Sequence, residues 1–345
     1  MSRRAALQFL APSKLAAVLP LLERNLAKLG AQRAATPPPR ASVAAVFRWR
    51  EREQRTLELL LVRRSFNERD TWSGQVAFPG GKRQKTVLEG GDASKSAIKA
   101  SESDDSVPWE SPFETAQRET MEEIGLDLTA SYVNAIKSLS VMLRWEVTQL
   151  TALVLHVRFI GSLPAIQTHL RTFWVSTQVF LIETPAEEQA FIPTIQESEI
   201  ADVFWVDVQE LFNPKRCTSF AWPIEDMIRP LATRPRLKSW VEKCFGSLMF
   251  ACIYLPRPTH AQPDEDVTQR HAFDFVLWGL TLRMIADLLK LAEVPLPIGD
   301  VMPHFEKRLV GDLALFLYRY PDQALKRGAG VAALAAAVGF GYSHL

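Results

Sequence analysis

The sequence predicts an α/β fold in which short strands and a few amphipathic helices share a hydrophobic core. Three observations lead there. Apolar, strand-like runs recur along the chain: SVAAVFRW, TLELLLVRR, QVAFPGG, SLSVMLRW, QLTALVLHVRFI, FWVSTQVFLIE and ADVFWVDV. One sharply bounded helix, Pro112 to Ile124, lies among them, and a second, Trp278 to Glu293, follows them. Hydrophobic residues make up 47% and charged residues 23% of 345 residues, enough to build a buried core and too apolar for global disorder.

Each element has a local cause. EREQR separates the first two strand-like runs and suits a hairpin loop, while Pro79-Gly80-Gly81 turns the chain at the end of the third. Residues 82–109 are rich in Ser, Asp, Lys and Gly and read as a surface insertion. Ser111-Pro112-Phe113-Glu114 is a capping box with proline at the first helical position, and Gly125 suits the left-handed C-terminal cap. VDVQELF opens a short helix, and WGLTLRMIADLLKLAE is an amphipathic helix ended by Pro295.

The N-terminal thirty residues carry apolar side chains at helical spacing. Arg3, Arg4 and Lys14 make them compatible with a mitochondrial presequence. Pro12 and Pro20 interrupt that pattern, and Leu15, Val18, Leu19 and Leu22 form a packing stripe, so a helix docked on the domain is the preferred reading. Pro37-Pro38-Pro39-Arg40 is a stiff linker. The expected organisation is an N-terminal helical extension over 1–40, a main domain over 41–293 and a helical C-terminal extension over 294–345.

Several function classes are disfavoured. A net charge of +1 offers no basic surplus for general nucleic-acid binding. Cys217, Cys244 and Cys252 are odd in number and lack metal-ligand spacing, so they read as thiols in a reducing compartment. No run reaches the eighteen or so apolar residues of a spanning helix, and the Ala- and Gly-rich stretch from Gly328 to Tyr342 reads as a docked terminal helix. No membrane association is expected, and the oligomeric state is left open.

The chemistry sits on the capped helix. Glu119, Glu122 and Glu123 stand at i, i+3 and i+4, which places three carboxylates on one face. A solvated charged face is the commoner fate of such a group. Here the turn Phe78-Pro79-Gly80-Gly81 precedes the helix and Gly125 ends it, and three crowded acids suit a hard divalent cation, Mg²⁺ or Mn²⁺. Arg118, four residues before Glu122, can pair with it.

These residues resemble the Nudix box, G-x5-E-x7-R-E-U-x-E-E-x-G-U. Gly81, Glu110, Arg118, Glu119, Glu122, Glu123, Gly125 and Leu126 match it. Thr120 stands at an apolar position, and a long insertion separates Gly81 from Glu110 where the box has five residues. The resemblance implies an α/β/α sandwich around a mixed sheet and a hydrolase of phosphoanhydride bonds. It also implies that Glu119, Glu122, Glu123 and the carbonyl of Gly81 bind the metal. Glu119, Glu122 and Arg118 would then serve the reaction. Members of the family often take a base from a later loop, for which Glu199 is a candidate, a surface role being its commoner reading.

Upstream, Leu60 to Gly81 resembles the signature of the coenzyme A diphosphatase branch, L-L-T-x-R-S-x3-R-x3-G-x-M-x-F-P-G-G. Arg64, Ser65, Arg69, Gly74 and Phe78 to Gly81 follow it; Val62 and Val76 depart from it, and four residues, not three, separate Arg69 from Gly74. Guanidinium groups bind phosphate bidentately, so Arg64 and Arg69 are the substrate-binding expectation, with Gly80 of the same matched segment beside them. The partner implied is a nucleotide small molecule, coenzyme A or acyl-CoA, with 3′,5′-ADP and 4′-phosphopantetheine as products. The alternatives are a Nudix pyrophosphatase for ADP-ribose or dinucleoside polyphosphates, and a Nudix-like binding module without activity. The complete set of box charges argues against the last.

Two further readings belong to the sequence alone. Ser343-His344-Leu345 resembles the peroxisomal S-K-L address and competes with a mitochondrial or cytoplasmic location. Residues 138–158 exceed the family's usual link after the box, either as an added hairpin or as translated non-coding sequence.

Overall fold

The computed structural model describes residues 10–31, 39–67, 72–85, 108–129, 155–168, 174–188, 191–222, 239, 243, 245–258, 274–299 and 301–307. The chain divides into two compact units, Met1–Arg216 with Tyr254–Leu296, and Cys217–Ile253 with Pro297–Leu345. These limits differ from the expected boundaries at 40 and 293.

The first unit is built on a mixed eight-stranded sheet. Its centre is β1 (Ala41–Trp49), which pairs antiparallel with β2 (Leu57–Arg64) and parallel with β7 (Trp174–Ile182). Short strands β3 (Val76–Ala77), β4 (Gly80–Lys82) and β6 (Ile166–Gln167) pair with β2, β1 and β7 respectively, and β5 (Val157–Ser162) lines the far edge of β7. On the other side β8 (Ile200–Asp207) pairs with β2. Strands β1, β2 and β7 are buried almost without interruption. A strand covered on both faces has no solvent side to require polar alternation.

Helix α2 (Pro112–Ile124) covers one face. It seats Ala116 and Ile124 on Ala44, Val46, Leu60, Val62, Phe180 and Ile182, while Phe113 meets Phe159 edge-to-face at 4.9 Å. Helix α1 (Pro12–Ala31) lies on the opposite face. Its Leu26 rests against Gly161 of β5, which pairs with Val179, the neighbour of the α2-facing Phe180. Leu15, Val18, Leu19, Leu22 and Leu26 are all buried, so this helix is part of the unit's core. It is tied to α3 (Gly279–Leu291) by Asn25, whose Nδ2 donates to the carbonyl of Leu291 at 2.7 Å, and by the Arg24–Glu293 ion pair. An α/β/α sandwich results, with β11 (Val276–Trp278) leading into α3.

In the second unit β9 (Cys217–Trp222) and β12 (His304–Phe305) both pair antiparallel with β10 (Leu248–Tyr254), and Phe220 stacks on Phe250 at 5.8 Å. Cys217 and Cys252 carry thiols, and burial pushes that of Cys252 up to about 12. Among the described residues no helix is long and apolar enough to cross a membrane.

Most elements fall where the sequence places them, with three differences. Lys82, expected in the insertion, closes β4. Val157 and Arg158, in a run read as strand-like but counted as extra to the family's link, belong to β5, a strand of the main sheet; residues 138–154 lie outside the described residues. Residues 294–299 and 301–307 form loop and β12 instead of the expected helix, because Pro295 and Pro297 remove helical N–H donors. The remainder of that extension, including Ser343-His344-Leu345, lies outside the described residues, as do Arg69 and Cys244.

Candidate active site

The site forms where the turn before β4 meets the C-terminal half of α2. Helix α2 begins as its capping box requires: Ser111 Oγ accepts from the N–H of Glu114 at 3.2 Å, and the Glu114 carboxylate accepts from the N–H of Ser111 at 2.7 Å. It ends at Gly125 with φ 70°, a left-handed conformation that glycine adopts without strain. Thr120, the departure from the box, is fully buried and returns its hydroxyl to the carbonyl of Ala116 at 2.7 Å. A threonine therefore satisfies its own polar atom at a core position.

Arg118 organises the acids. Its Nε donates to Glu110 Oε1 at 2.6 Å, Nη1 to Glu122 Oε2 at 2.8 Å, and Nη2 to Glu119 Oε1 at 2.9 Å and to the carbonyl of Lys82 at 3.1 Å. Burial works against its charge, yet Glu110 and Glu119 hold the guanidinium firmly protonated. Glu110 accepts in addition from the N–H of Gln84 and from the hydroxyl of Thr115, each at 3.1 Å. Burial opposes ionisation of Glu110, but Arg118 and these donors hold its carboxyl below the usual range.

The remaining carboxylates are held differently. Glu119 lies against the backbone of Gly81: a Cβ at residue 81 would stand 2.5 Å from the Glu119 carboxyl carbon. Burial raises the Glu119 carboxyl, Arg118 opposes the rise, and Glu122 and Glu199 add to it. Glu123 is almost fully buried, and its Oε2 accepts from the N–H of Gly80 at 2.8 Å. Burial pushes its carboxyl up to about 8; the Gly80 N–H and Arg64 pull it down, while Glu119 and Glu199 push it further up.

Glu199 arrives on a loop that straps the end of α2. The N–H groups of Thr194 and Gln196 donate to the carbonyls of Ile124 and Glu123 at 3.0 and 2.9 Å, satisfying acceptors that a helix end leaves open. The N–H of Ser65 then donates to the carbonyl of Glu199 at 2.8 Å, which joins this loop to the end of β2 where Arg64 sits.

The structure thus gathers Arg64, Gly80, Gly81, Arg118, Glu119, Glu122, Glu123 and Glu199 in one region. Gly80, expected at the substrate, has its N–H engaged by Glu123. Among the described residues no three His, Cys, Asp or Glu side chains are placed to hold a metal ion as they stand. The cause is visible: Arg118 draws Glu119 and Glu122 to itself while Glu123 turns to Gly80. The donor chemistry nevertheless fits a hard divalent cation. The carboxylates are crowded and partly desolvated, and Gly81 leaves its backbone bare beside Glu119. The sequence reading missed the Glu110–Arg118 pair and the Arg83 contacts described below, which join residues too far apart for any helical spacing to signal.

Comparison with known proteins identifies a family. The NUDIX domain family model matches residues 38–226, more than half of the chain. An uncharacterized protein of Schizosaccharomyces pombe is 25% identical over 235 residues, covering 64% of this chain. The chain spans 56% of that relative's length. Among solved structures, the NUDIX domain of Shewanella oneidensis NrtR complexed with ADP ribose is 15% identical, with a TM-score of 0.27 over 54% of this chain and 84% of that one. The MutT protein of Methanosarcina mazei is 18% identical, with a TM-score of 0.27 over 52% and 84% of the respective chains. A box complete in its charged residues, on a helix capped and packed as that box requires, agrees with the family match: the chain belongs to the Nudix family.

Proposed function

We propose that the chain hydrolyses the diphosphate of coenzyme A or of its acyl thioesters, releasing 3′,5′-ADP and 4′-phosphopantetheine or its acylated form. The observation that carries this reading is Arg64. It stands at the end of β2, within the segment that resembles the coenzyme A diphosphatase signature, and its charge acts on Glu123 of the box helix.

Under this reading Glu119, Glu122, Glu123 and the carbonyl of Gly81 would hold Mg²⁺ or Mn²⁺. The cation, when bound, neutralises the diphosphate and makes water a better nucleophile at neutral pH. The protein's own groups do the rest. Arg64 takes phosphate oxygens in its planar fork, with Arg69 of the same segment as a second phosphate partner. Arg118 holds the Glu119 and Glu122 carboxylates through its two Nη groups. Glu119 contributes to deprotonating the attacking water, and Glu199, whose charge reaches Glu119 and Glu123, is the candidate base from a later loop.

A hydrolase for ADP-ribose or dinucleoside polyphosphates is the second reading, favoured by the additional residue between Arg69 and Gly74. Purified protein offered coenzyme A, ADP-ribose and diadenosine polyphosphates with Mg²⁺, with the products identified, decides between them. Preferred release of 3′,5′-ADP supports the coenzyme A reading, and preferred turnover of another substrate replaces it. No turnover of any of them favours a binding module.

A further inference from the structure

We propose that Arg83, at the stem of the insertion after β4, is a positioning residue that sets the box carboxylates through Glu110 and Arg118. The inference rests on the hydrolase reading of the site. Arg83 belongs to neither of the motifs read in the sequence.

The contacts form a continuous chain. The N–H of Arg83 donates to the carbonyl of Arg40 at 3.0 Å, and its Nη1 to the carbonyl of Pro39 at 3.2 Å, so its backbone and one end of its guanidinium are tied to the segment entering β1. Its Nε donates to the carbonyl of Glu110 at 2.5 Å. The neighbouring Gln84 pairs with Glu110 in both directions: its N–H donates to the Glu110 carboxylate at 3.1 Å, and its carbonyl accepts from the Glu110 N–H at 3.0 Å. Lys85 and Trp109 extend this pairing as an antiparallel bridge. The two ends of the insertion are therefore closed against each other, with Glu110 fixed at the closure.

Glu110 then presents both carboxylate oxygens to Arg118, Oε1 at 2.6 Å and Oε2 at 3.1 Å. Nη2, which meets Glu110 Oε2, also reaches Glu119, and Nη1 of the same guanidinium reaches Glu122. A guanidinium is planar and rigid, so turning one edge turns the other. If Arg83 lets the Glu110 backbone shift, the error passes through Arg118 to Glu119 and Glu122. This also explains how a long insertion is accommodated at a box position: its stem is clamped where it touches the site. The charge of Arg83 acts on Glu114 at the start of the helix, while its hydrogen bonds go to the Glu110, Pro39 and Arg40 carbonyls, so its effect on Glu119 and Glu122 is transmitted.

The test uses Arg83→Met and, should that variant fail to give a cooperative melt, Arg83→Gln, in the full chain. The first readout needs neither metal nor turnover. The ¹⁵N–¹H resonance of the Arg118 Nε–H group is assigned by its loss in Arg118→Lys and followed in metal-free protein, where the short bond to Glu110 sets its position. The second is steady-state kinetics on the substrate that the wild type turns over. The expectation is a displaced Arg118 resonance and a kcat reduced about tenfold or more, with KM changed less than about twofold, because misplacing a reacting group costs rate before it costs binding. An unmoved resonance overturns the inference, whether or not kcat falls. A displaced resonance with unchanged kcat overturns it equally. Inactive wild-type protein would remove the proposed function, while the resonance alone still decides whether Arg83 positions Arg118.

Discussion

The carboxyl group of Glu119 rests on the bare backbone of Gly81, so that a Cβ added there would stand 2.5 Å from the carboxyl carbon. A strand turn and a helix separated by a long insertion thus meet with no room for a side chain between them. Gly81→Ala must push Glu119 aside. Displacement of a reacting group by about 1 Å can cost roughly a hundredfold in rate, whereas the cost in stability is small because the atoms met are the far end of a flexible side chain. Kinetics and thermal melts of the same variant separate the two, and wild-type kcat in Gly81→Ala would show that Glu119 need not lie here.

Glu122 offers the cleanest separation of chemistry from folding. Its side chain is 51% exposed, and it forms an i,i+4 ion pair with the partly buried Arg118. Pairs at this helical spacing contribute about 0.3–0.5 kcal/mol, so Glu122→Gln leaves the melting temperature nearly unchanged. Activity falls by at least about a hundredfold if the carboxylate holds the cation, since metal stabilisation of charge is worth several kcal/mol. Retained activity in a folded Glu122→Gln would sink the metal assignment.

Burial gives Glu123 a distinctive pH signature in metal-free protein. Its carboxyl is raised from 4.5 to about 8 in the folded state. A carboxyl raised on folding favours the folded state while it is protonated, so its contribution is fully present below the unfolded value and is lost as pH rises through about 8. A tenfold change in proton affinity is worth about 1.4 kcal/mol, so the loss amounts to a few kcal/mol. Melting in chelator between pH 5 and 9 should show stability falling across that window. Glu123→Gln keeps an acceptor for the Gly80 N–H and should flatten the fall. An equally steep fall in the variant would assign the titration to another group.

The parts of the site legible in the sequence are those written within one or two helical turns. Ser111 and Glu114 cap α2 across three residues, Arg118 and Glu122 pair across four, and Gly125 ends the helix, all set by local geometry. The contacts that give the site its shape join distant positions: Arg118 with Glu110, Arg83 with Glu110, and Glu123 with Gly80. No periodicity encodes them, because they exist only once the sheet has brought β4 beneath α2. The packing stripe of α1 was legible for the same local reason, but its place against Gly161 of β5 and the end of α3 was not.

That place makes α1 a stability element. Leu22 is 1% exposed, so Leu22→Ala removes buried apolar volume and should cost about 2–5 kcal/mol. Denaturant titration measures it directly. A loss below about 0.5 kcal/mol, the level of a surface substitution, would mean that the helix is not docked in solution.

Arg64 tests the substrate. It follows a register shift in the β2–β8 pairing and reaches Glu123 electrostatically, so its contribution is expected in binding the diphosphate. Arg64→Lys keeps the charge but loses the fork that matches phosphate bidentately, and Arg64→Ala loses both. For coenzyme A the order of kcat/KM should be wild type, then Lys, then Ala. The step to Ala should reach at least about tenfold, the scale of one charge-assisted hydrogen bond of roughly 1.5–3 kcal/mol. Most of that loss should appear in KM if Arg64 holds substrate and transition state alike. An equal loss on every nucleotide offered would make Arg64 a general phosphate group and leave the coenzyme A reading without its principal support. Unchanged kinetics in Arg64→Ala would remove Arg64 from the site altogether.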